Sequence, residues 1–415
     1  MSKNLLSKLS NLVEFRAMPF LNRKVQDWKE SAFSDIGLQK NGKSAPRALM
    51  IFPTQPMGYY IQGRLQEGFA VRMQNIYFQG LAMLTQLVDA GFVVDVYEKD
   101  RLNFNKNTEQ YSLVIDEGNS LAFIPAFPHQ TKVFFATGLK WDRWNFNEVQ
   151  RIQWFYEKYG FYVMPRRQLL PVFSDTAADY ILFKGITEEM TDLNPSAKRF
   201  QLAMPVDYEP ETVSRDLSRR EFMWIGSKGS VFKGLDIVVD AFKEMPDMKL
   251  HLFGPVNKEQ FIFKWLQDQL KNHPNISYHG YADYRSNQFL EIIKNCVAHV
   301  YPSAGENGCA TLAQTCHFGL IPISTTTANN QASNLGYTIG GATRNELVQQ
   351  TIDAARTVYS LSDDEVKTKS DELISFAKAR FTRDAFIKSF DQFLGFLSNP
   401  QMNFSIKTVT PLTVF

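Results

Sequence analysis

The sequence lacks the features typical of a disulfide-rich, zinc-binding or nucleic-acid-binding protein. Its 415 residues include only three cysteines, Cys296, Cys309 and Cys316, an odd number without the spacing of a zinc site. Lysine and arginine number 45 and aspartate and glutamate 43, so the net charge of +2 creates no strong field for a nucleic acid. We therefore expect a protein of a reducing compartment, with no structural metal and no nucleic-acid partner.

The amino-terminal stretch lacks an uninterrupted apolar run. In "MSKNLLSKLSNLVEFRAMPF" the apolar side is broken by Lys3, Lys8, Glu14 and Arg16, so it resembles neither a signal-peptide core nor a membrane span. This pattern predicts a cytoplasmic protein. It also allows an amphipathic helix on the inner membrane face, that is, peripheral association; the alternative is an extension packed on its own domain.

The chain is long enough for two domains with a cleft between them. At 415 residues it fits two cores of about 150 to 200 residues each. The polar stretch "DYEPETVSRDLSRRE" has the composition of a linker. We predict a first domain over residues 1–206 with an extension at 1–45, a second over 207–380, and a final helix and tail over 381–415.

Strands alternate with helices in both halves. In the first, "RALMIFP" precedes a helical pattern at 76–91 and the strand "FVVDVYE", and "SLVID", "KVFFATG" and "ADYILFKG" follow. In the second, helical segments separate "FMWIG", "KLHLFG", "ISYHG", "AHVYPS" and "LIPIS". The alternation predicts an α/β protein with two doubly wound, mostly parallel sheets, in which ligands bind beyond the carboxyl ends of the strands.

One loop beyond such a strand end has the residue types that bind phosphate. In "GSKGSVFKGLD", Gly226 and Gly229 let the backbone approach a ligand, Ser230 is a candidate cap, and Lys233 lies where a helix begins. Amides at a helix start and an ammonium together suit a phosphate. Neither the Walker pattern nor GxGxxG is present. A glycine turn with a solvated lysine is the alternative interpretation.

A second loop, "PSAGENGCAT", places Glu306 among small residues beyond another strand end. Gly308, Cys309, Ala310 and Thr311 would begin the next helix, with free amides pointing into the cleft. A single loop glutamate is also typical of a surface charge. Its position in the same half as the glycine-rich loop favours a ligand site.

These elements resemble, in order and approximate spacing, the nucleotide-sugar glycosyltransferases of the GT-B architecture, most closely the retaining glycosyltransferase family 4. The matching text is "IGSKGSVFKGLDIVVDAF", "LHLFG", "ISYHGYAD" and "VYPSAGENGCATLAQTCHFGLIPI", over roughly residues 222–324. The resemblance implies two Rossmann-like domains facing across a cleft. It also implies a carboxyl-terminal helix that crosses back to the first domain.

The resemblance also implies roles for single residues. Lys233 would bind the donor diphosphate, and Glu306 with the helix amides after it would hold the donor sugar. Gln314 stands where the family has a second glutamate, which binds the ribose. Ser227 stands where it has an arginine, with Lys228 beside it. The loops that would border the base contain Gly254, Pro255 and Tyr281.

The first half resembles the family only in architecture, and its loops after strands should hold the acceptor. These loops are "PTQPMGYY", "DEGNS" and "TGLKWDRWN". The acceptor-side candidates in them are Gly58, Glu117, Gly138, Trp141 and Asp142. Trp141 and Trp144 could stack on a sugar, and the alternative is that the two rings are simply packed.

The implied function is transfer of a hexosyl or related sugar from a nucleotide-diphosphate sugar to a glycan, lipid-linked or other hydroxyl acceptor, with retention, in surface-polysaccharide or glycoconjugate synthesis. No Ser-His-Asp set and no DxD motif occurs, so we expect Lys233 and helix amides to stabilise the leaving group without a metal or other cofactor. Two other classes stay open. One is a non-catalytic nucleotide- or glycan-binding protein of this fold, which Gln314 and Ser227 favour. The other is a nicotinamide oxidoreductase, which the missing glycine fingerprint disfavours.

Overall fold

A computed structural model of the chain describes residues 32–54, 75–99, 107–211, 214–216 and 218–398. These residues form two α/β domains, each built on one sheet with apolar cores on its faces. The predicted fold class, with two doubly wound domains, is therefore confirmed.

The first domain contains a seven-stranded sheet in the order β1-β3-β2-β4-β5-β6-β7. Its strands are β1 (Ala32–Ile36), β2 (Arg47–Ile51), β3 (Val93–Tyr97), β4 (Leu113–Asp116), β5 (Thr131–Phe135), β6 (Tyr180–Phe183) and β7 (Lys198–Gln201). Its helices are α1 (Leu38–Asn41), α2 (Asn75–Asp89) and α3 (Trp141–Tyr159). Among the described strands of this sheet, only the edge strand β1 runs antiparallel to its neighbour.

The second domain contains a six-stranded parallel sheet in the order β10-β9-β8-β11-β12-β13. Its strands are β8 (Glu221–Ile225), β9 (Leu250–Phe253), β10 (Ile276–Tyr278), β11 (Cys296–Tyr301), β12 (Ile321–Thr325) and β13 (Tyr337–Ile339). The helices from here to the end of the described chain are α4 (Leu235–Lys243), α5 (Gln260–Leu270), α6 (Asn287–Ile293), α7 (Ala310–Cys316), α8 (Arg344–Ser360), α9 (Asp363–Arg380) and α10 (Arg383–Ser398).

The two central strands of the second sheet are mostly apolar because both of their faces are covered, and their polar residues Glu221 and His299 are buried as well. All five residues of β8 and all six of β11 are buried, the pattern of a parallel strand between two packed layers. β8 and β11 also pair directly. The loops that follow them therefore leave the same edge of the sheet side by side, and this arrangement positions the candidate site.

Sequence patterns missed the short strands at the sheet edges and misplaced one helix start. The missed strands β1, β7 and β13 have three to five residues and are partly exposed, so they carry no apolar run. Helix α4 begins at Leu235 rather than at Lys233. Gly234 ends the turn before it with φ +77°, a left-handed conformation that favours glycine.

The final helix packs on the first domain. Phe386, Phe390 and Phe393 of α10 are buried in one apolar cluster with Met83 and Leu87 of α2. Phe381, which directly follows α9, belongs to the core of the second domain. The chain therefore crosses back between these two cores, as the fold prediction required.

Candidate active site

Lys233 and Glu306, the two predicted catalytic residues, are in direct contact. Lys233 follows β8 and Glu306 follows β11, and the Lys233 ammonium donates to the Glu306 carboxylate. The Tyr301 hydroxyl, at the end of β11, donates to the same carboxylate oxygen at 2.8 Å. Sequence reasoning overlooked Tyr301, although it stands at the carboxyl end of a strand. The arrangement is a buried lysine, a carboxylate and a phenol joined through one oxygen.

Burial controls the electrostatics of this group. The Lys233 side chain is 1% exposed and that of Glu306 18%. The Lys233 ammonium lies 5.1 Å from the ring centre of Phe232 and 5.5 Å from that of Trp144. Burial lowers the pKa of Lys233, and the nearby Glu306 carboxylate opposes that change. Because Glu306 already neutralises this ammonium, a phosphate ligand would have to share it or displace the carboxylate.

The loop that carries Glu306 is docked on the first domain. Asn307 Oδ1 accepts from the backbone amides of Lys184, at 2.8 Å, and Gly185, at 2.7 Å, while its Nδ2 donates to Ala136 O at 2.9 Å. Arg151 of α3 donates to Pro302 O at 2.7 Å. Side chains of both domains therefore hold Glu306 at their interface. Asn307 was not predicted, because only its partners in the other domain reveal its role.

Two amides of the glycine-rich loop have a hydrogen-bond partner within the chain. Glu259, which precedes α5, accepts from Gly229 N at 2.8 Å, Ser230 N at 3.1 Å and the Ser230 hydroxyl at 3.0 Å. This carboxylate is 6% exposed. The chain thus supplies its own anion to these two amides, which were expected to face a ligand phosphate.

The other predicted residues of this loop and of the loops predicted to border the base differ in burial and contacts. A Cβ on Gly226 would overlap the Trp224 ring, so this glycine is required for packing within the loop. Ser227 and Lys228 are exposed beside it. Gly254 N donates to Gly280 O at 2.6 Å, which joins the two loops predicted to border the base. Pro255 follows Gly254, and Tyr281, in the second of these loops, is 80% exposed.

The start of α7 also differs from the prediction. The helix begins at Ala310, followed by Thr311, so Gly308 and Cys309 precede it. Gly308 N donates to Asn329 O at 3.0 Å and is not directed at a ligand. A Cβ on Gly308 would lie 2.9 Å from the Cβ of Lys184. This glycine is therefore needed for close approach of the two domains.

Gln314 binds the backbone of the segment between the domains. Its Oε1 accepts from Tyr208 N at 3.0 Å and its Nε2 donates to Tyr208 O. The side chain is 2% exposed. In this arrangement Gln314 anchors the segment that enters the second domain, and its role as a ribose acceptor stays a prediction.

Three of the acceptor-side candidates lie around one cavity of about 540 Å³ in the first domain. Glu117, Gly138 and Trp141 line this acceptor-side cavity, which opens beyond the carboxyl ends of β4 and β5. Asp142 is not among its lining residues, and its carboxylate accepts from Arg143 N at 2.7 Å. Gly58 lies outside the described residues.

The inner wall of this cavity carries a buried carboxylate. Glu117 is 5% exposed, lies 2.6 Å from Lys99 Nζ and accepts from the Thr137 hydroxyl at 3.0 Å. Burial raises the pKa of Glu117, and the nearby Lys99 opposes that change. The side chain is thus a charge-compensated acceptor of hydrogen bonds at the wall of the cavity.

One layer of side chains separates the cavity from the Lys233–Glu306 pair. Leu139 lines the cavity and also packs in a cluster with Trp144, Phe232 and Ala304. Trp144 is 4% exposed and its indole donates to Arg167 O at 2.6 Å. Trp144 is therefore packed between the two sites, whereas Trp141 faces the cavity.

The described part of the chain has no metal cluster, no disulfide and no membrane-spanning helix. No group of three or more His, Cys, Asp or Glu side chains there could hold a metal ion. The three cysteines are buried and free. None of the helices in the described ranges combines the length and apolar character needed to cross a bilayer.

Glu259→Ala is expected to lower the free energy of unfolding by at least about 3 kcal/mol. The substitution leaves two buried amides and a hydroxyl without their acceptor, at about 1 to 3 kcal/mol for each unsatisfied group. Glu259→Gln keeps an acceptor oxygen and should cost less. Urea unfolding of both variants measures the difference, with Glu372→Ala on the exposed side of α9 as the control. If Glu259→Ala is no less stable than this control, the carboxylate does not hold the loop.

No protein-family model matches the chain, and no curated protein matches it. Solved structures match its fold. Sucrose-phosphate synthase from Thermosynechococcus elongatus gives a TM-score of 0.53 at 13% identity, over 85% of this chain and 99% of that one. HepE from Anabaena, in complex with UDP and glucose, gives a TM-score of 0.50 at 12% identity, over 86% of this chain and 100% of that one.

A further similar structure is larger than this chain. The pneumococcal O-GlcNAc transferase GtfA, in complex with UDP and GlcNAc, gives a TM-score of 0.46 at 10% identity over 78% of this chain. This chain spans only 60% of that protein's length. The similarity to the full-length matches shows that the chain has the GT-B fold, two Rossmann-like domains, as found in glycosyltransferases.

Proposed function

We propose that the protein is a glycosyltransferase that moves a sugar from a nucleotide-diphosphate sugar to a hydroxyl acceptor. The observation that carries this proposal is the buried Lys233–Glu306 pair at the carboxyl ends of two neighbouring parallel strands. Ligands of open α/β sheets bind in this position. The complex of the similarly folded HepE with UDP and glucose supports a nucleotide sugar as the donor.

The proposed reaction exchanges one bond at the anomeric carbon for another. The bond from this carbon to the diphosphate oxygen breaks, and the acceptor oxygen forms the new bond as its hydroxyl loses a proton. Negative charge develops on the leaving diphosphate, and a preorganised ammonium stabilises such charge strongly in a site that excludes water. Lys233 would supply this ammonium, and Glu306 would turn from it to the hydroxyl groups of the donor sugar.

The acceptor would bind in the acceptor-side cavity of the first domain. Glu117, with a pKa raised by burial, is the group there that would accept the proton or hydrogen bond of the acceptor hydroxyl. Retention, a hexosyl donor and a role in surface-polysaccharide or glycoconjugate synthesis are proposed from the sequence resemblance, and independence of metals and other cofactors from the lack of a DxD motif together with Lys233. Cytoplasmic location and peripheral membrane association are proposed from the cysteine content and from the pattern of the amino-terminal stretch, which lies outside the described residues.

A thermal-shift screen tests the proposal directly. A nucleoside diphosphate at 100 times its Kd should stabilise the protein by about 2.7 kcal/mol, and the matching nucleoside at the same concentration should stabilise it less. The nucleotide sugar with the preferred base should then lose its sugar to water or an added acceptor, and Glu306→Gln serves as the impaired control. If no nucleoside diphosphate stabilises the chain beyond its nucleoside, the proposal is wrong.

A non-catalytic binding protein of the same fold is the second candidate, and two contacts favour it. Glu259 accepts hydrogen bonds from two amides of the glycine-rich loop, and the Tyr208 backbone hydrogen-bonds both polar atoms of the Gln314 side chain. Such a protein would bind a nucleoside diphosphate, yet the wild type and Glu306→Gln would release sugar at the same background rate. The same assay therefore separates the two candidates.

A further inference from the structure

We propose that the acceptor is an amphiphile, with an uncharged hydroxyl-bearing head against Glu117 and an aliphatic part along the outer wall of the acceptor-side cavity. This inference rests on the proposed function and names its acceptor class. The cavity of about 540 Å³ lies within the range of roughly 300 to 1,000 Å³ typical of small-molecule sites. Its wall changes in character from polar to apolar, and that change carries the argument.

Hydrogen-bonding groups that suit a hydroxyl head lie together on one part of the wall. Glu117 and Thr137 are joined by a hydrogen bond of 3.0 Å, and Trp141 offers a ring on which a sugar face can stack. The positive charges there are compensated. Lys99 lies 2.6 Å from the Glu117 carboxylate, and Lys140 Nζ lies 3.8 Å from Asp142. These pairs leave little net charge for an anionic head, so a neutral one is favoured.

The outer wall is apolar and open to water. Leu170 is 86% exposed, Phe123 62% and Leu169 37%, and all three line the cavity. Phe173, 48% exposed, contacts the edge of Trp141 with a ring-centre distance of 6.1 Å. A free glycan offers too little apolar surface to cover these side chains. An aliphatic chain would remove them from water, at about 25 cal/mol for each square ångström buried.

Exposed apolar side chains are concentrated in the part of the chain that supplies this wall. Nine of the eleven large apolar side chains that are exposed in the described chain fall between residues 123 and 173. They are Phe123, Phe146, Val149, Tyr156, Tyr162, Met164, Leu169, Leu170 and Phe173. Phe123, Leu169 and Leu170 line the cavity and Phe173 contacts Trp141, so these four lie together at its outer wall, which is typical of a binding surface. An aliphatic ligand at the opening of the cavity would therefore bury these exposed apolar side chains.

The test compares ligands that share one head and differ in the tail. Methyl, hexyl and octyl glucosides, and the matching mannosides, are titrated by calorimetry below their critical micelle concentrations, with no donor present. We expect the affinity to rise with tail length, by up to about fourfold for each buried methylene. The titration needs no turnover, so its outcome is independent of the proposed sugar transfer.

Two serine variants locate the tail. Leu170→Ser should lower the affinity for octyl glycosides at least threefold and leave that for methyl glycosides unchanged. Met164→Ser is the matched control, because Met164 is 74% exposed in the same segment and does not line the cavity. Equal affinity for the octyl and methyl glycosides, or equal effects of the two variants, would overturn the inference.

Further outcomes distinguish an amphiphilic acceptor from a membrane contact and from a free-sugar acceptor. If vesicle binding depends on Leu170 while monomeric alkyl glycosides fail to bind, the apolar wall is a membrane contact and the inference is wrong. If sugar transfer occurs with free sugars as efficiently as with alkyl glycosides, the proposed function stands and the amphiphilic acceptor does not. If binding depends on tail length but no donor is turned over, the cavity binds amphiphiles and the proposed sugar transfer is wrong.

Discussion

Lys233→Met is expected to lower the free energy of unfolding by about 3 to 5 kcal/mol, the usual cost of removing one partner of a buried ion pair. The substitution leaves the Glu306 carboxylate, whose side chain is only 18% exposed, with the Tyr301 hydroxyl but without a cation. Urea unfolding, followed by fluorescence and circular dichroism, measures the change. Lys228→Met, on an exposed lysine of the same loop, is the matched control and should change stability by less than about 0.5 kcal/mol.

The double variant Lys233→Met with Glu306→Gln tests whether the loss comes from the unpaired charge. Because neither residue then carries a charge, at least about 2 kcal/mol of the loss should be recovered. If the free-energy changes of the two single variants simply add, the two side chains are not energetically coupled. The structural basis of the candidate site would then be wrong, whatever the protein's substrate.

Glu306→Gln is expected to lower sugar-transfer turnover on the order of 100-fold while diphosphate binding is kept or improved. Turnover falls because an oriented, charged contact to the reacting sugar is lost. Binding is kept because a neutral Gln releases the Lys233 ammonium, which Glu306 neutralises in the wild type. Initial rates against donor concentration, together with titration of the nucleoside diphosphate, measure both effects.

The control for this substitution is Glu291→Gln, on a side chain of α6 that is 69% exposed. It should leave both turnover and binding at the wild-type level. A Glu306→Gln variant that transfers sugar at the wild-type rate would remove this carboxylate from the donor site. The main support for sugar transfer at the Lys233–Glu306 pair would be lost with it.

Local patterns in the sequence were sufficient for the architecture and for the centre of the candidate site. The segments that form β8 and β11 are mostly apolar because both of their faces are buried, and this composition is what predicted parallel strands. Ligand residues follow the carboxyl ends of such strands, so Lys233 and Glu306 could be predicted as neighbours although 73 positions separate them. This rule needs only parallel strands that alternate with helices, which apolar periodicity indicates, whereas the pairing of β8 with β11 is a long-range contact.

The same patterns could not show which polar groups the chain satisfies by itself. Gly229 was expected to face a phosphate, but Glu259, 30 positions away, occupies its amide. Gln314 was expected to bind a ribose, but Tyr208, 106 positions away, holds both of its polar atoms. A motif indicates that donors and acceptors are present, whereas their partners depend on contacts between segments far apart in the chain.

The sequence by itself determined two doubly wound domains and the edge of the second sheet where a ligand site belongs, because apolar periodicity and strand-end chemistry are local properties. Only the tertiary structure decided that the Lys233 ammonium is neutralised by Glu306 and that Asn307 fastens the loop to Lys184 and Gly185 of the first domain. It alone showed the acceptor-side cavity with its exposed apolar wall. These features arise where the two domains and the long connecting segments pack together. The residues involved are far apart in the chain, so their spacing in the sequence does not show which of them come into contact.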